Sequence, residues 1–240
     1  MKTTVIVPTY NEKENLEALI TLLLELPVTV EVIVVDDNSP DGTGAIADTL
    51  AGQHPERLHV IHRAGKLGLG TAYIAGFQYA LAERSDLVIT MDADFSHHPR
   101  YIPAMVDKIS VGYDLVIGSR YVRGGGTVEC TFLRKLLSWG ANTVARTLLG
   151  LHAYDATAGF RCYRRQVLES IALEQIFSNG YSFLIEMLYK VQRRKWRVGE
   201  VPIVFQNRQQ GTSKISNNEV RRALYTVLRL FWERLRGEPV

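Results

Sequence analysis

The chain has 240 residues, 46% hydrophobic and 22% charged, with a formal net charge of +3. Such a composition suits an ordinary globular protein with a substantial core, and no uncharged apolar stretch reaches the roughly 18 residues that a membrane-spanning helix requires. Cys130 and Cys162 match no metal or redox spacing, which points to a reducing cytoplasm.

In chain order, Thr3–Val7 reads as a strand that leaves no room for a signal peptide before it. Asn11 and Glu14 form a capping-box-like start to a helix, whose Leu16, Leu19, Ile20, Leu23 and Leu24 share one stripe before Pro27 stops it. Val30–Val35 is a second strand, followed by a turn rich in Asp, Asn, Ser, Pro and Gly and by a helix near Thr43–Ala51. Leu58–Ile61 is the third strand and Thr71–Glu83 its helix; Leu87–Met91 and Leu115–Ile117 are the fourth and fifth strands. This alternation predicts an α/β fold, a Rossmann-like, mostly parallel sheet with helices on both faces. Ligands then bind beyond the carboxyl ends of the strands.

Beyond Arg123 the pattern changes. Gly124-Gly125-Gly126 reads as a flexible break, and an amphipathic segment, Phe132 to Leu149, follows. A strand-like piece over Gly159–Tyr163, a helix around Phe183–Gln192, a strand over Val198–Gln206, a polar loop and a terminal amphipathic helix, Asn217–Arg236, complete the chain. Without repeats, low-complexity tracts or a linker, residues 1–240 read as a single domain.

Four strand-end loops carry the chemistry. Met91-Asp92-Ala93-Asp94 places two carboxylates one residue apart where the fourth strand meets solvent. A half-buried carboxylate pair is costly unless a cation stabilises it, and the oxygen-preferring Mg²⁺ or Mn²⁺ fits, sharing its ligands with substrate phosphates. Ser96 lies close enough to add an oxygen. The first-strand loop, Pro8-Thr9-Tyr10-Asn11-Glu12, offers an aromatic ring to stack on a base and a carboxylate to bind base or ribose. Asp36-Asp37-Asn38-Ser39-Pro40-Asp41-Gly42 follows the second strand and Gly118-Ser119-Arg120 the fifth. On one sheet edge, the four describe a pocket for a nucleotide diphosphate and its metal. A dinucleotide fold is excluded because the first strand-to-helix turn has no glycine; Gly65-Lys66-Leu67-Gly68-Leu69-Gly70 follows the third strand instead, with Lys66 a candidate phosphate contact. No P-loop occurs.

The motifs Val7-Pro8-Thr9-Tyr10-Asn11-Glu12, Val35 to Gly42, Met91-Asp92-Ala93-Asp94 and Gly118-Ser119-Arg120-Tyr121 resemble those of inverting glycosyltransferases of the GT-A fold. Gly65 to Tyr73, Phe95-Ser96-His97-His98-Pro99, Asp155 to Arg161 and Arg208 to Lys214 narrow the resemblance to dolichyl- or polyprenyl-phosphate mannose synthases of the type without transmembrane helices. The resemblance implies transfer of mannose, with inversion, from GDP-mannose to a dolichyl or polyprenyl phosphate. It implies that Pro8, Tyr10, Glu12, Val35 and Asp37 hold the guanosine, while Asp92, Ala93 and Asp94 meet the sugar diphosphate and, through the two aspartates, the metal. Arg120, Arg208 and Lys214 would surround the phosphates, and Arg134 and Ser138 would face the acceptor phosphate. Asp92, Asp94 and Arg120 are then the catalytic set. Some relatives have a glutamine metal ligand where this chain has the shorter Ser96. Residues 1–123 would form the nucleotide-sugar part and 124–240 the acceptor side.

A phosphate monoester acceptor, with a second pKa of about 6, needs no general base at neutral pH. The task is electrostatic, and Arg208, Lys214 and Arg134 would offset repulsion between donor and acceptor phosphates. The loop Gln206–Asn218 reads as a lid over the diphosphate. For membrane contact, the expected packing stripes are Phe132, Leu133, Leu136, Leu137, Ala141, Val144, Ala145 and Leu148 in one segment, and Val220, Ala223, Leu224, Val227, Leu228 and Phe231 in the terminal helix. Trp139, Leu230 and Trp232 lie outside or at the edge of them. Tryptophan beside arginine suits a peripheral position on the cytoplasmic face of a membrane, or a small membrane-anchoring subunit, with no nucleic-acid partner expected. Two alternatives stay open: another sugar nucleotide, such as UDP-glucose, and a non-catalytic basic module binding lipid or nucleic acid. Glu186, among Leu184, Ile185 and Met187, reads as a satisfied buried acid.

Overall fold

The computed structural model describes residues 1–128, 132–206 and 217–236, with side chains over 1–128, 138–206 and 221–236. Seven strands form one sheet in the order β3-β2-β1-β4-β7-β5-β8. They are β1 (Thr3–Thr9), β2 (Val30–Asp36), β3 (Leu58–His62), β4 (Leu87–Thr90), β5 (Leu115–Ser119), β7 (Arg161–Arg164) and β8 (Val198–Pro202). All neighbouring pairs are parallel except those of β7, which runs antiparallel between β4 and β5. A small parallel pair joins β6 (Gly126–Val128) to β9 (Val204–Gln206).

Strand periodicity divides the core in two, because successive side chains point to opposite faces. Val5, Val7, Val32 and Val34 enter one cluster with Leu16, Leu19, Ile20 and Leu23 of α1 (Leu16–Leu24), Ala47 of α2 (Thr43–Gln53) and Ile102 of α4 (Ile102–Ser110). Ile6, Ile33 and Val88 enter the other with Tyr73 and Phe77 of α3 (Leu69–Ala82) and Leu184 of α7 (Ser182–Arg193). Each fully buried Leu, Ile or Phe contributes about 1.5–3 kcal/mol. Helix α3 lies so close to β1 that a Cβ on Gly76 would stand 2.5 Å from Ile6 Cγ2, so only glycine fits there.

Several sequence expectations shift. The Asn11/Glu14 capping box does not form: α1 begins at Leu16 and Asn11 adopts a φ of +58°. The intervening loop spends its amides on the next loop instead, Asn11 N–H on Ser39 Oγ at 3.1 Å, Glu12 N–H on Thr43 Oγ1 at 3.0 Å and Lys13 N–H on Asp41 at 3.2 Å. The expected strand Val198–Gln206 breaks at Ile203, whose N–H donates to Ser119 O, and its second part pairs with β6. The triglycine is therefore a turn running into a strand, not a loose break; a Cβ on Gly125 would meet Ser119 O at 2.6 Å.

The two amphipathic helices are rotated from their predicted faces. On α8 (Asn217–Arg236) the inward residues are Thr226, Val227 and Leu230, with Ala223 and Phe231 half-buried. Leu230, expected at the edge of the stripe, is only 1% exposed, whereas Leu224 and Leu228 are 52% and 43% exposed. The reason is that α8 packs against both α7 and α5 (Phe132–Leu149), and Arg234 Nη1 donates to Leu148 O. On α5, Asn142, Ala145 and Leu149 face inward while Ala141 and Val144 face solvent. Asn142 is drawn in by donating to Tyr154 O and accepting from Ala156 N–H. The stripe residues before Ser138, and Val220, fall outside the described side chains. Among the described residues no helix is long and apolar enough to cross a membrane.

Candidate active site

The carboxyl ends of β1, β2, β4 and β5 lie on one edge of the sheet, and each carries a polar loop. After β1, the Tyr10 ring takes Lys66 Nζ against its face at 4.2 Å. The buried Glu12 accepts from Asn15 Nδ2 at 3.0 Å. Lys66, expected as a phosphate contact, thus meets an aromatic ring. Pro8 pairs with Val35 across β1 and β2. Val35 and Ala93 are buried.

After β2, the two aspartates differ in role. Asp36 is consumed structurally, accepting from Thr9 Oγ1, Ser39 N–H and Ser39 Oγ. Asp37 pairs with Arg63 at 2.6 Å and accepts from the Leu67 and Gly68 amides at 3.2 and 3.4 Å. The glycine-rich loop after β3 is therefore fastened to the loop after β2. Gly68 has a φ of +102° there, and a Cβ on it would stand 2.7 Å from Asn179 Oδ1.

After β4, Asp92 and Asp94 are half-buried. Tyr73 donates to Asp92 Oδ1 at 3.2 Å, and Asp94 accepts the Ser96 N–H at 3.1 Å. Burial and then the Asp92 charge push the Tyr73 phenol well above its ordinary value, so it stays a donor. His97 is buried, stacked on Phe160 at 5.3 Å, and accepts the Asp92 N–H on Nδ1 at 3.4 Å. Burial lowers its pKa against the opposing pull of Asp92 and Asp94, which keeps the ring neutral at pH 7. The buried Ser96 Oγ has no hydrogen-bond partner among the described residues.

That orphaned hydroxyl beside two carboxylates fits an oxygen-loving divalent ion. Among the described residues no cluster of three or more His, Cys, Asp or Glu could hold a metal alone. A site completed by substrate oxygens and water is the usual arrangement for Mg²⁺.

After β5, Arg120 makes a two-pronged contact with Asp155, Nε to Oδ2 at 2.8 Å and Nη2 to Oδ1 at 2.7 Å, and Nη2 also reaches Thr157 Oγ1 at 2.9 Å. Burial works against the charge of Asp155, but Arg120, by charge and by hydrogen bonds, holds the carboxyl below the usual carboxylate range. The Phe205 ring stands 5.4 Å from the Arg120 guanidinium and 5.6 Å from the His97 ring, joining the β5 and β4 loops. Tyr121 and Ser138 share a 3.0 Å hydrogen bond, which puts Ser138 beside the β5 loop.

The structure thus brings Pro8, Tyr10, Glu12, Asp37, Asp92, Asp94, Arg120 and Ser138 to one edge. Arg208, Lys214 and the expected lid lie outside the described residues, as does the Arg134 side chain. Tyr73, Arg63, Asp155 and Phe205 were missed as site residues. Tyr73 and Asp155 sit within matched motifs, the one signal available; Arg63 and Phe205 carried none. Glu186 is less satisfied than expected: Oε2 accepts from Ser178, but Oε1 has no hydrogen-bond partner among the described residues and Lys190 Nζ stays 3.8 Å away.

A strand-end carboxylate pair and a fixed arginine on a mostly parallel sheet define a GT-A glycosyltransferase, and residues 4–172 match the model of Glycosyl transferase family 2, to which the chain belongs. It is an enzyme, which removes the reading as a non-catalytic basic module. The chain is 46% identical over 226 residues to a polyprenol monophosphomannose synthase of Mycolicibacterium smegmatis, covering 94% of this chain and 85% of that protein. It is 44% identical to an undecaprenyl-phosphate mannosyltransferase of Micrococcus luteus, covering 99% and 98%. Among solved structures, the mannosyltransferase PcManGT of Pyrobaculum calidifontis, in complex with GDP-Man and Mn²⁺, superposes with a TM-score of 0.63 at 18% identity, covering 100% of this chain and 65% of that one.

Proposed function

We propose that this cleft transfers mannose from GDP-mannose to a polyprenyl phosphate, with inversion at the sugar carbon. The observation that carries the reading is the pairing of half-buried Asp92 and Asp94 with a rigidly held Arg120 on the neighbouring loop, in a chain 44% identical to a named undecaprenyl-phosphate mannosyltransferase over nearly its whole length. Tyr10, Glu12, Pro8, Asp37 and the main chain at Val35 take the nucleoside. Asp92, Ala93, Asp94, Arg120, Arg208 and Lys214 take the sugar diphosphate, and Arg134 and Ser138 the acceptor phosphate. Residues 1–123 supply the donor half and 124–240 the acceptor half.

Asp92 and Asp94 would hold Mg²⁺ or Mn²⁺, which neutralises charge on the departing diphosphate. The acceptor needs no deprotonation, its second pKa being about 6. The protein's work is then to align acceptor oxygen, sugar carbon and leaving phosphate, and to offset the repulsion of two anions with arginines.

A lipid-linked acceptor also places the enzyme on a membrane surface. Leu224, Leu228 and Trp232 lie exposed on one face of α8, with Tyr225 and Leu235 beside them and Arg221, Arg222 and Arg236 near. Such a face suits a peripheral position on anionic lipid at the cytoplasmic side. The deciding experiment is transfer of radiolabelled mannose from GDP-mannose to a short-chain polyprenyl phosphate with and without Mn²⁺. Metal-dependent product is expected; transfer from UDP-glucose and not from GDP-mannose would overturn the donor. Flotation of the purified chain with anionic vesicles at low salt, lost at high salt, tests the membrane reading.

A further inference from the structure

Asp155 is the better buried half of the arginine pair. Its side chain is fully buried, while the Arg120 side chain keeps 15% exposure. Of the five N–H groups that a guanidinium offers, three are engaged on this side, two by Asp155 and one by Thr157. The Arg120 main-chain N–H also donates to Asp155 Oδ2 at 3.0 Å. One carboxylate therefore sets both where the residue begins and where its head group ends.

The support behind Asp155 is equally built. The Asp155 N–H donates to Glu200 Oε1 at 3.0 Å and the Tyr154 N–H to Oε2 at 2.8 Å. Glu200 belongs to β8, which is paired with β5, so the anchor and the arginine hang from adjacent strands. Arg161 is fully buried and donates to the carbonyls of Ala156, Ala158 and Leu184, each at 2.8 Å. It fixes the turn that carries Asp155 and adds positive field to it.

We propose that Asp155 is a positioning residue of the transfer reaction: it orients Arg120 by the side edge of the guanidinium and tempers its charge toward the diphosphate. The inference rests on the reading above that puts Arg120 beside the donor phosphates. A guanidinium already paired attracts the ground-state donor less than a bare one. Held rigid, it still stabilises the negative charge that grows on the diphosphate as the sugar–oxygen bond breaks. Only interactions stronger in the transition state than in the ground state raise kcat. Asp155 thus trades affinity for rate.

The test compares the full chain with Asp155→Asn and Thr157→Val, measuring kcat for mannose transfer, GDP affinity by calorimetry with Mn²⁺, and Tm. Asp155→Asn is expected to lose roughly 10- to 100-fold in kcat, as when a reacting group is misplaced by about an ångström. Its GDP affinity is expected to stay the same or tighten. Thr157→Val, which keeps the carboxylate and removes the hydroxyl that accepts from Arg120 Nη2 and donates to Asp155 Oδ1 at 3.3 Å, is expected to show the same split at smaller size. A folded Asp155→Asn with parental kcat, or one whose GDP affinity weakens in step with kcat, would overturn the proposal. If Asp155→Asn does not fold, parental kcat in Thr157→Val overturns it. An inactive parent chain would instead overturn the donor assignment, and weaker GDP binding by Asp155→Asn would still count against the clamp.

Discussion

Tyr73 gives its phenolic hydrogen to Asp92 Oδ1 across 3.2 Å, so a helix on one face of the sheet steadies a carboxylate at the end of a strand. The ring itself packs against both Phe77 and Phe183, with centroids 6.3 and 6.0 Å away. The hydroxyl therefore has little freedom to leave.

Tyr73→Phe keeps that packing and removes one hydrogen bond. Outer groups that orient a metal-binding carboxylate typically contribute 10- to 100-fold in metal affinity. We expect Mn²⁺ binding in the presence of GDP to weaken by roughly tenfold, near the lower end of that range. Calorimetric titration checks this, and unchanged Mn²⁺ affinity would show that Asp92 needs no such support.

Asp94→Asn preserves shape and removes a charge. In the parent, GDP with Mn²⁺ at 100 times its Kd should add about 2.7 kcal/mol of stability by mass action. The variant should lose the metal-dependent part of that gain, and transfer should fall by at least about 100-fold. Near-normal transfer at saturating metal is the outcome that sinks the site.

Arg63→Met leaves Asp37 with two amides but no cation. Both side chains of the pair are less than one-tenth exposed, and breaking a buried pair from one side costs about 3–5 kcal/mol. A matching drop in stability to urea is expected, together with faster hydrogen exchange at Leu67 and Gly68. Stability within about 0.5 kcal/mol of the parent, the range of an ordinary surface substitution, would mean that the pair is solvated in solution.

Burial raises the pKa of Glu186, against the lowering effect of Ser178 and Lys190. The unfolded chain then releases this proton first as pH rises, so the native state holds more protons between the ordinary value and the raised one. Stability from this group is present below pH 4.5 and is lost as pH rises through the native pKa. Glu186→Gln should therefore gain on the parent between pH 4 and pH 7. Equal stability differences at the two pH values, by denaturant midpoint, would refute the assignment.

Much of this molecule is legible one segment at a time. Alternation along β1 and β2 divides Val5, Ile6, Val7 and Ile33 between two cores, and a period of two announces that division before any contact is known. The Asp92/Asp94 pair and the polar loops after β1, β2 and β5 were equally readable, because ligand-facing chemistry at strand ends is local in the chain. The helix faces were less so. Apolar residues on α8 run around more of its circumference than one interface needs, and Leu224 and Leu230 are alike in sequence though Leu230 is buried in the core and Leu224 is exposed.

The ion pairs were silent. Asp37 and Arg63 lie 26 residues apart and Arg120 and Asp155 lie 35 apart, while the Asp155 N–H and the Glu200 carboxylate that accepts it lie 45 apart. Pairing of this kind leaves no periodic trace along a chain: Asp37 meets Arg63 because β2 and β3 are neighbours, whereas Arg120, Asp155 and Glu200 meet because β7 inserts antiparallel between β4 and β5 while β8 takes the far side of β5. Local sequence thus placed most of the strands and helices and the polar loops at the strand ends, through steric preference and hydrophobic period. Strand order chose the carboxylate that holds each arginine, because electrostatic energy depends on distance in space and not on separation in sequence.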